Sequence, residues 1–254
     1  MSYLKKEIYW LLSEKYKNKL TASAWEDIHK LKRGEHLDYL IGYINFLNCK
    51  MDLSRRTLIP RIETEFWMEE AVKELKKSKE GTKSLSILDI FSGSGCIGIS
   101  ILKNLPQTNA FFSDIEENCI DQIKINCRIN NINSGRYKIV KSDIFKNISK
   151  DKKFNFIFAN PPYIPTHSKD IENSVLINEP AVALFGGKDG LKYIDMFLKD
   201  AKKFLEKDGK IYMEFDHPQK SEVEDILKKY NYKDYNFRKD QFDKYRFLII
   251  GNDK

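Results

Sequence analysis

The sequence predicts an α/β fold in which a seven-stranded, mostly parallel sheet is covered by helices on both faces. From about residue 85 onward, short apolar runs alternate with stretches of helical periodicity, a pattern typical of parallel strands joined by helices. The last two apolar runs, 232–237 and 246–250, are close enough in sequence to predict a hairpin at the edge of the sheet. A chain of 254 residues with 41% hydrophobic content can bury a core of this size.

Each element follows from its own local pattern. We predict the five parallel strands at residues 86–90, 110–113, 138–140, 155–159 and 210–215. Periodic apolar positions predict the helices between and after them at residues 97–104, 117–131, 190–206 and 219–230.

The N-terminal quarter of the chain has a different pattern. Residues 1–41 are predicted to form a small helical domain, with N-cap candidates at residues 21–23. Residues 42–60 are predicted to form a linking β-hairpin with two short strands around residues 48–50. An amphipathic helix begins near Glu63, and residues 61–254 are assigned to the α/β domain.

Composition narrows the classes of protein that remain. No apolar run is long enough for a signal peptide core or a membrane span, so we expect a cytoplasmic protein. The four cysteines and four histidines show no metal-binding spacing, and we predict no metal site. The net charge of +7 arises from lysine-rich stretches with acidic residues interleaved, which is typical of solvated helix faces and does not by itself indicate a nucleic-acid binder.

A glycine-rich turn follows the first predicted strand of the sheet. Between Asp89 and Gly98 the glycines allow close backbone approach, and the helix that begins there offers free N–H groups to a ligand. Asp114 ends the next strand, where its carboxylate could accept both hydroxyls of a ribose. Asp143 follows the third strand and could accept an adenine amine while Ile144 packs on the base. The pattern fits an adenosine-bearing ligand, with a dinucleotide still open.

The tetrapeptide Asn160-Pro161-Pro162-Tyr163 stands directly behind the fourth apolar strand. Open α/β sheets bind their ligands at the carboxyl ends of their strands. An amide, two rigid prolines and an aromatic ring at that position suit the capture of a planar NH2-bearing group for chemistry on its nitrogen. This favours an N-methyltransferase over a dinucleotide enzyme and leaves both a base and an amide as acceptors.

Several segments together resemble a known family, the N5-glutamine methyltransferases that modify peptide-chain release factors, within the class I S-adenosylmethionine-dependent methyltransferases. The tetrapeptide alone is shared with adenine and cytosine N-methyltransferases, whereas the segment 61–65 is similar to the release-factor enzymes in particular. The similarity covers nearly the whole chain, in the segments 33–42, 58–65, 89–98, 160–163, 179–184 and 187–190.

The resemblance implies a Rossmann-like class I fold and transfer of a methyl group from S-adenosylmethionine to the glutamine of the Gly-Gly-Gln motif of a release factor. It implies a cofactor site formed by Asp89, Phe91, Ser92, Gly93, Ser94, Gly95, Asp114, Asp143, Ile144 and Asn160. Catalysis and substrate binding are expected at Asn160, Pro161, Pro162 and Tyr163, with Arg61 and Glu65 as further substrate-binding candidates. The Asn160 side-chain oxygen and the Pro161 carbonyl would accept the two N–H groups of the glutamine amide, and Tyr163 would stack on it. We expect a monomer whose partner is a release factor, with no nucleic-acid substrate.

Three departures from the family pattern accompany these expectations. Phe91 and Asp216 each stand where the family usually has glycine, and the N-terminal helical part is shorter than usual. The rival functions are methylation of adenine in DNA or RNA, methylation of a ribosomal-protein glutamine, and a catalytically silent cofactor-binding module. The first would need a region that holds an extruded or single-stranded base, and the sequence has no such insertion beyond the short N-terminal helical segment.

Overall fold

The computed structural model of the protein describes residues 3–78, 84–168 and 173–251. Ten α-helices lie within these ranges: α1 Tyr3–Tyr16, α2 Ala22–Lys32, α3 Leu37–Ile41, α4 Ile62–Ser78, α5 Cys96–Asn104, α6 Glu117–Ile129, α7 Asn173–Asn178, α8 Ala181–Leu184, α9 Lys192–Ala201 and α10 Lys220–Lys229. Nine strands accompany them: β1 Tyr43–Phe46, β2 Cys49–Asp52, β3 Ser86–Ile90, β4 Asn109–Asp114, β5 Tyr137–Lys141, β6 Phe154–Ala159, β7 Leu205–Glu214, β8 Tyr235–Lys239 and β9 Tyr245–Gly251.

Seven of the strands form one sheet, in the order β5-β4-β3-β6-β7-β9-β8. The first five are parallel, β9 runs antiparallel to β7, and β8 closes the edge as the antiparallel partner of β9. The predicted mostly parallel, seven-stranded sheet with a terminal hairpin is therefore confirmed. The chain reverses its strand order around β3 and β6, so the carboxyl ends of these two strands border the crevice in which such sheets bind ligands.

The differences from the predicted boundaries have local causes. The strand predicted at residues 210–215 begins five residues earlier, at Leu205, because Leu205 pairs with Phe154 before the ladder resumes at Lys210. The helix predicted at 190–206 accordingly ends at Ala201, followed by one 3-10 turn. The hairpin predicted around residues 48–50 turns at Leu47 and Asn48, which both have positive φ, as a two-residue turn of type I′ requires. The short helices α7 and α8 were not predicted.

The three N-terminal helices share a small core of their own, built from Leu11, Ile28, Leu31 and Leu40. Thr21 caps α2 by accepting a hydrogen bond from the backbone of Ala24, as the sequence predicted. Nearly buried Asp27 joins α1 to α2, because its carboxylate accepts hydrogen bonds from Lys15, Tyr16 and Lys30. Within the ranges given above, no helix combines the length and the apolar character needed to cross a membrane.

The β1–β2 hairpin is joined to the main sheet by packing and by hydrogen bonds. Its side chains Phe46, Cys49 and Met51 are buried in the same core as α4 and β3. Three amide side chains, two on one face of α6 and one at its C-cap, accept hydrogen bonds from the hairpin and the segment after it: Gln122 from Arg55 N, Asn126 from Asp52 N, and the C-cap Asn130 from Lys50 N. The hairpin is thereby fixed beside the helix that follows Asp114.

Candidate active site

A cavity of about 850 Å³, including the space at its mouth, opens at the carboxyl ends of β3, β4, β5 and β6. This edge is where open α/β sheets bind small-molecule ligands. Seven of the residues predicted for the site line this cavity: Phe91, Gly93, Asp114, Asp143, Ile144, Asn160 and Pro162. The structure therefore brings together the ends of four strands that are far apart in sequence.

Asp114 closes the glycine-rich turn from the side. Its Oδ2 accepts a hydrogen bond from Gly93 N at 2.8 Å and its Oδ1 accepts one from Glu116 N at 3.0 Å. Burial raises the pKa of this carboxyl, while the two backbone donors oppose that shift. The Cys119 thiol also donates a hydrogen bond to this carboxyl. A carboxylate has about four acceptor positions and Asp114 lines the cavity, so it can still accept a hydrogen bond from a ligand hydroxyl.

Four other predicted cofactor residues are absent from the cavity lining and support the turn. Ser92 donates to the carbonyl of Asp89 and accepts from Ser113 N, which ties the end of β3 to β4. The Ser94 carbonyl accepts from Asn126, and Gly95 is the N-cap of α5 with a φ of 78°. Asp89 is fully buried below them: Gly98 N donates to its Oδ2, and Oδ1 has no hydrogen-bond partner among the described residues. Burial raises the pKa of this carboxyl.

Two cavity residues have left-handed backbone conformations that are uncommon for their residue types. Phe91 has a φ of 61° and Ile144 a φ of 50°. This conformation costs a non-glycine residue about 1–2 kcal/mol, and strained residues of this kind cluster at functional sites. Ile144 is held there by Ser142 and Ser113, whose hydroxyls both donate to its carbonyl. Neighbouring Asp143 forms an ion pair with Lys146.

The Asn160–Tyr163 segment leaves β6 at the inner wall of the cavity. Asn160 Nδ2 lies 3.4 Å from Thr64 Oγ1 near the start of α4. The Tyr163 hydroxyl donates at 3.0 Å to Glu214 at the end of β7. Glu214 is buried and also accepts hydrogen bonds from Thr64 Oγ1 at 2.7 Å and from Trp67 Nε1 at 2.8 Å. The amide of Asn160 is therefore connected to a buried carboxylate through one hydroxyl group.

Two glycines allow the backbone of this segment to pack closely. A Cβ on Gly190 would lie 2.1 Å from the Tyr163 carbonyl oxygen, and a Cβ on Gly186 would lie 2.5 Å from that of Pro162. Gln219 donates from Nε2 to the Tyr163 carbonyl at 2.8 Å. The prolines and the aromatic residue are thus supported from behind by backbone and by one amide side chain.

Comparisons with known proteins agree with this geometry. Residues 71–184 match the family model described as the methyltransferase small domain. The chain is 32% identical to the release factor glutamine methyltransferase of Flavobacterium psychrophilum, over 91% of this chain and 78% of the relative. It is 33% identical to the protein of the same name from Streptococcus pneumoniae, over 89% of this chain and 79% of the relative.

The chain belongs to the release factor glutamine methyltransferase family. Among solved structures, the catalytic domain of hMettl16, in complex with MAT2A 3′UTR hairpin 6, shares the fold with a TM-score of 0.61. That structure is 15% identical in sequence, and the match covers 82% of this chain and 77% of that one. The class I methyltransferase fold and the family predicted from the sequence are both confirmed.

Phe91 and Asp216 are the two positions at which we expect glycine in the release factor glutamine methyltransferase family. The Phe91 ring packs edge-on against Tyr193 and Phe197, so it forms part of the cavity wall. Asp216 caps the 3-10 turn at residues 217–219 and pairs with Arg246. Both residues occupy defined positions in the fold.

The structure places the remaining predicted substrate residues in supporting contacts. Arg61 pairs with the buried carboxylate of Glu179, which also accepts a hydrogen bond from Ile59 N. Glu65 accepts a hydrogen bond from Leu47 N in the hairpin turn at 2.7 Å and does not line the cavity. Pro161 is buried beside Asn160, and Tyr163 is half-buried outside the lining. Stacking of Tyr163 on a substrate amide stays a prediction.

Sequence reasoning missed Thr64, although it lies inside the segment 61–65 that indicated the family, and it gave no role to Glu214. The available signal for Thr64 was a hydroxyl inside a segment that resembles the family, and Glu214 stands two residues before the departure at Asp216. Among the described residues, no group of three or more His, Cys, Asp or Glu side chains could hold a metal ion.

Proposed function

We propose that the protein transfers a methyl group from S-adenosylmethionine to the side-chain amide nitrogen of the glutamine in the Gly-Gly-Gln motif of a peptide-chain release factor. The observation that carries this proposal is that Asn160, an amide able to accept an N–H, lines the same cavity as Asp114 and Asp143. Family membership supports the choice of a release factor as the protein partner. We further propose that the enzyme acts as a cytoplasmic monomer on protein, not nucleic acid.

The cavity residues fit the cofactor. Asp114 offers carboxylate oxygens to ribose hydroxyls, and Asp143 offers them to an adenine amine beside the apolar side chain of Ile144. Gly93 allows the backbone to approach the ligand without a side chain, and its N–H is already bound to Asp114. When bound, S-adenosylmethionine supplies an electrophilic methyl group on a sulfonium.

The task of the protein side chains is to orient a weak nucleophile. The lone pair of an amide nitrogen is delocalised into its carbonyl, so the nitrogen must be held with that lone pair aimed at the methyl carbon. The Asn160 Oδ1 and the Pro161 carbonyl would each accept one N–H of the glutamine. Orientation of this kind can lower a barrier by several kcal/mol, with about 7–11 kcal/mol as the ceiling.

Bond formation and proton loss then balance without a buried base. The amide nitrogen would form a bond to the methyl carbon of S-adenosylmethionine while the carbon–sulfur bond breaks, and sulfur would keep that electron pair. The nitrogen becomes acidic once it is methylated, and its proton passes to water. No histidine or cysteine is needed for this step.

The experiment is incubation of the protein with isotopically labelled S-adenosylmethionine and either a release factor or nucleic acid, followed by peptide mass spectrometry. The expected result is a one-methyl increment on the glutamine of the Gly-Gly-Gln peptide. Label found only on nucleic acid would overturn the proposal in favour of an adenine methyltransferase. Label found on neither substrate, with the cofactor still bound, would favour the silent module. The Asn160→Ala variant serves as the negative control.

A further inference from the structure

The Asn160 amide has two ends that are similar in shape and opposite in hydrogen-bonding character. Its Oδ1 accepts, whereas its Nδ2 donates. Only the orientation with Oδ1 toward the substrate can receive an N–H of a glutamine amide. The reverse orientation would place two NH2 groups against each other, so the site needs a device that selects one of the two.

The hydrogen-bond chain behind Asn160 provides such a device. The Trp67 indole N–H can only donate, and it lies 2.8 Å from Glu214 Oε2, so that oxygen must be an acceptor. The Thr64 hydroxyl lies 2.7 Å from the same Oε2, which carries no proton when Glu214 is ionised, so the hydroxyl donates its single proton to it. Thr64 Oγ1 is left with lone pairs only. Its remaining neighbour, the Asn160 amide, has to present Nδ2.

We infer that Thr64, with its hydroxyl proton held by Glu214, is a positioning residue that turns the Asn160 amide so that its oxygen faces the substrate. This inference rests on the proposed function. It names two further residues of the methyl-transfer machinery, neither of which contacts the reacting atoms. Among the described residues, none donates a hydrogen bond to Asn160 Oδ1, which leaves that atom available to the substrate.

Burial keeps this series of hydrogen bonds in one arrangement. The exposed fractions of Thr64 and Glu214 are both 1%, and that of Trp67 is 0%, so water cannot compete for these hydrogen bonds. The arrangement holds when the Glu214 carboxyl is ionised and equally when it carries a proton on Oε1, because in both states Oε2 has no proton and can only accept. On the other oxygen, the Tyr163 hydroxyl can either donate or accept.

The 3.4 Å contact between Thr64 and Asn160 is long for a hydrogen bond, and such contacts tighten when a substrate is bound. Its contribution to folding is therefore small, whereas its effect on orientation is not. A reversed Asn160 would place Oδ1 against Thr64 Oγ1, whose proton is already donated, and would place Nδ2 against the substrate donors. Both ends of the amide would then be mismatched.

The test compares Thr64→Val, which keeps the shape and removes the hydroxyl, with Thr64→Ser, which keeps the hydroxyl. Thr108→Val is the matched control, because Thr108 is also buried but its hydroxyl has no hydrogen-bond partner among the described residues. For each protein, kcat and KM are measured with release factor, the cofactor dissociation constant by calorimetry, and the folded state by thermal unfolding.

We expect Thr64→Val to lower kcat about 10- to 100-fold through misalignment of the acceptor. KM for release factor and the cofactor dissociation constant should stay within about twofold of wild type. Thr64→Ser should recover most of the lost turnover, and Thr108→Val should match wild type.

Wild-type kcat in a folded Thr64→Val protein would overturn the inference, as would Thr64→Ser being as slow as Thr64→Val. If Thr64→Val does not fold, Thr64→Ala is used with the same two criteria. Absence of release-factor methylation by the wild-type protein is a separate outcome that overturns the proposed function itself, and the positioning role with it.

Discussion

The Arg61 guanidinium donates to the fully buried carboxylate of Glu179, so the segment before α4 is tied to the segment that carries Pro180 over the cavity. The two residues are 118 positions apart in the chain. Glu179 also accepts a hydrogen bond from Ile59 N at 3.1 Å through its second oxygen. The segments 58–65 and 179–184, each of which resembles the family, are therefore joined by an ion pair.

Removal of the Arg61 side chain should destabilise the protein. The Arg61→Ala variant leaves the Glu179 charge buried without its partner, and we expect it to lower the free energy of unfolding by about 3 kcal/mol. Addition of Glu179→Gln should recover part of this loss, because a neutral amide costs less to bury. Lys73→Ala, which removes one half of the exposed Lys73–Glu69 pair, is the control and should cost under about 0.5 kcal/mol. Urea unfolding measures all four proteins, and equal effects of Arg61→Ala and Lys73→Ala would contradict the prediction.

Asn160→Ala should separate chemistry from cofactor binding. The variant removes the side-chain acceptor for the substrate amide, so we expect kcat to fall by about two or more orders of magnitude. Cofactor affinity should stay close to wild type, because Asp114 and Asp143 are unchanged. Methyl transfer by mass spectrometry and calorimetry with S-adenosylhomocysteine measure the two quantities. Unchanged turnover would rule out the proposed amide clamp.

Asp114→Ala should have the opposite signature. It removes the predicted acceptor for the ribose and also frees Gly93 N, so we expect the cofactor dissociation constant to rise about 10- to 100-fold. The control is Asp121→Ala, which removes an acidic residue of the next element, α6, that pairs with Lys124 on the surface. Calorimetry compares the two, and wild-type affinity in Asp114→Ala would exclude this carboxylate from the ribose site.

Phe91 allows strain and packing to be measured separately. Phe91→Ala removes the ring from Tyr193 and Phe197 but keeps a Cβ at a φ of 61°. Phe91→Gly removes the same ring and the strain. We expect both variants to be less stable than wild type, with the glycine variant the more stable of the two by about 1 kcal/mol. Thermal unfolding gives this difference, and a more stable alanine variant would show that the backbone at this position is not strained.

Asp89 should make stability depend on pH. Burial raises the pKa of its carboxyl in the folded state, and nearby Asp114 raises it further. The window runs from about pH 3.9, the pKa of this carboxyl in the unfolded chain, up to its raised pKa in the folded protein. Within it the folded protein binds more protons than the unfolded chain, so the contribution of Asp89 to the free energy of unfolding falls as the pH rises. Asp89→Asn lacks that contribution, and its stability relative to wild type should grow as pH rises through the window. Urea unfolding at several pH values and constant ionic strength tests this, and parallel profiles would contradict it.

The order of strands and helices could be predicted because apolar runs and helical periodicity are local properties of the sequence. The ends of the strands were harder to predict from local sequence. Glu206, Lys207 and Asp208 are polar, and their position within β7 depends on the pairing of Leu205 with Phe154. The left-handed turn at Leu47 and Asn48 likewise has no glycine to indicate it.

In the site, too, some features could be predicted from local sequence and others depend on tertiary structure. Asp114, Asp143 and Asn160 could be predicted because they follow apolar strands and therefore lie at one edge of the sheet. The contact between Thr64 and Glu214 joins residues 150 positions apart, and only the packing of α4 against β7 creates it. Residues that hold the functional groups in place are set by tertiary structure, so local patterns do not identify them.

The close packing at Gly186 and Gly190 means that part of this site can form only if these two residues have no side chain. A methyl group added at Gly190 would collide with both the Tyr163 carbonyl and the Gln219 amide. In a mutational scan these two positions should therefore tolerate fewer substitutions than many of the side chains that line the cavity. A definition of the functional site that includes only residues with reactive or hydrogen-bonding side chains would therefore omit Gly186 and Gly190, two of its least substitutable positions.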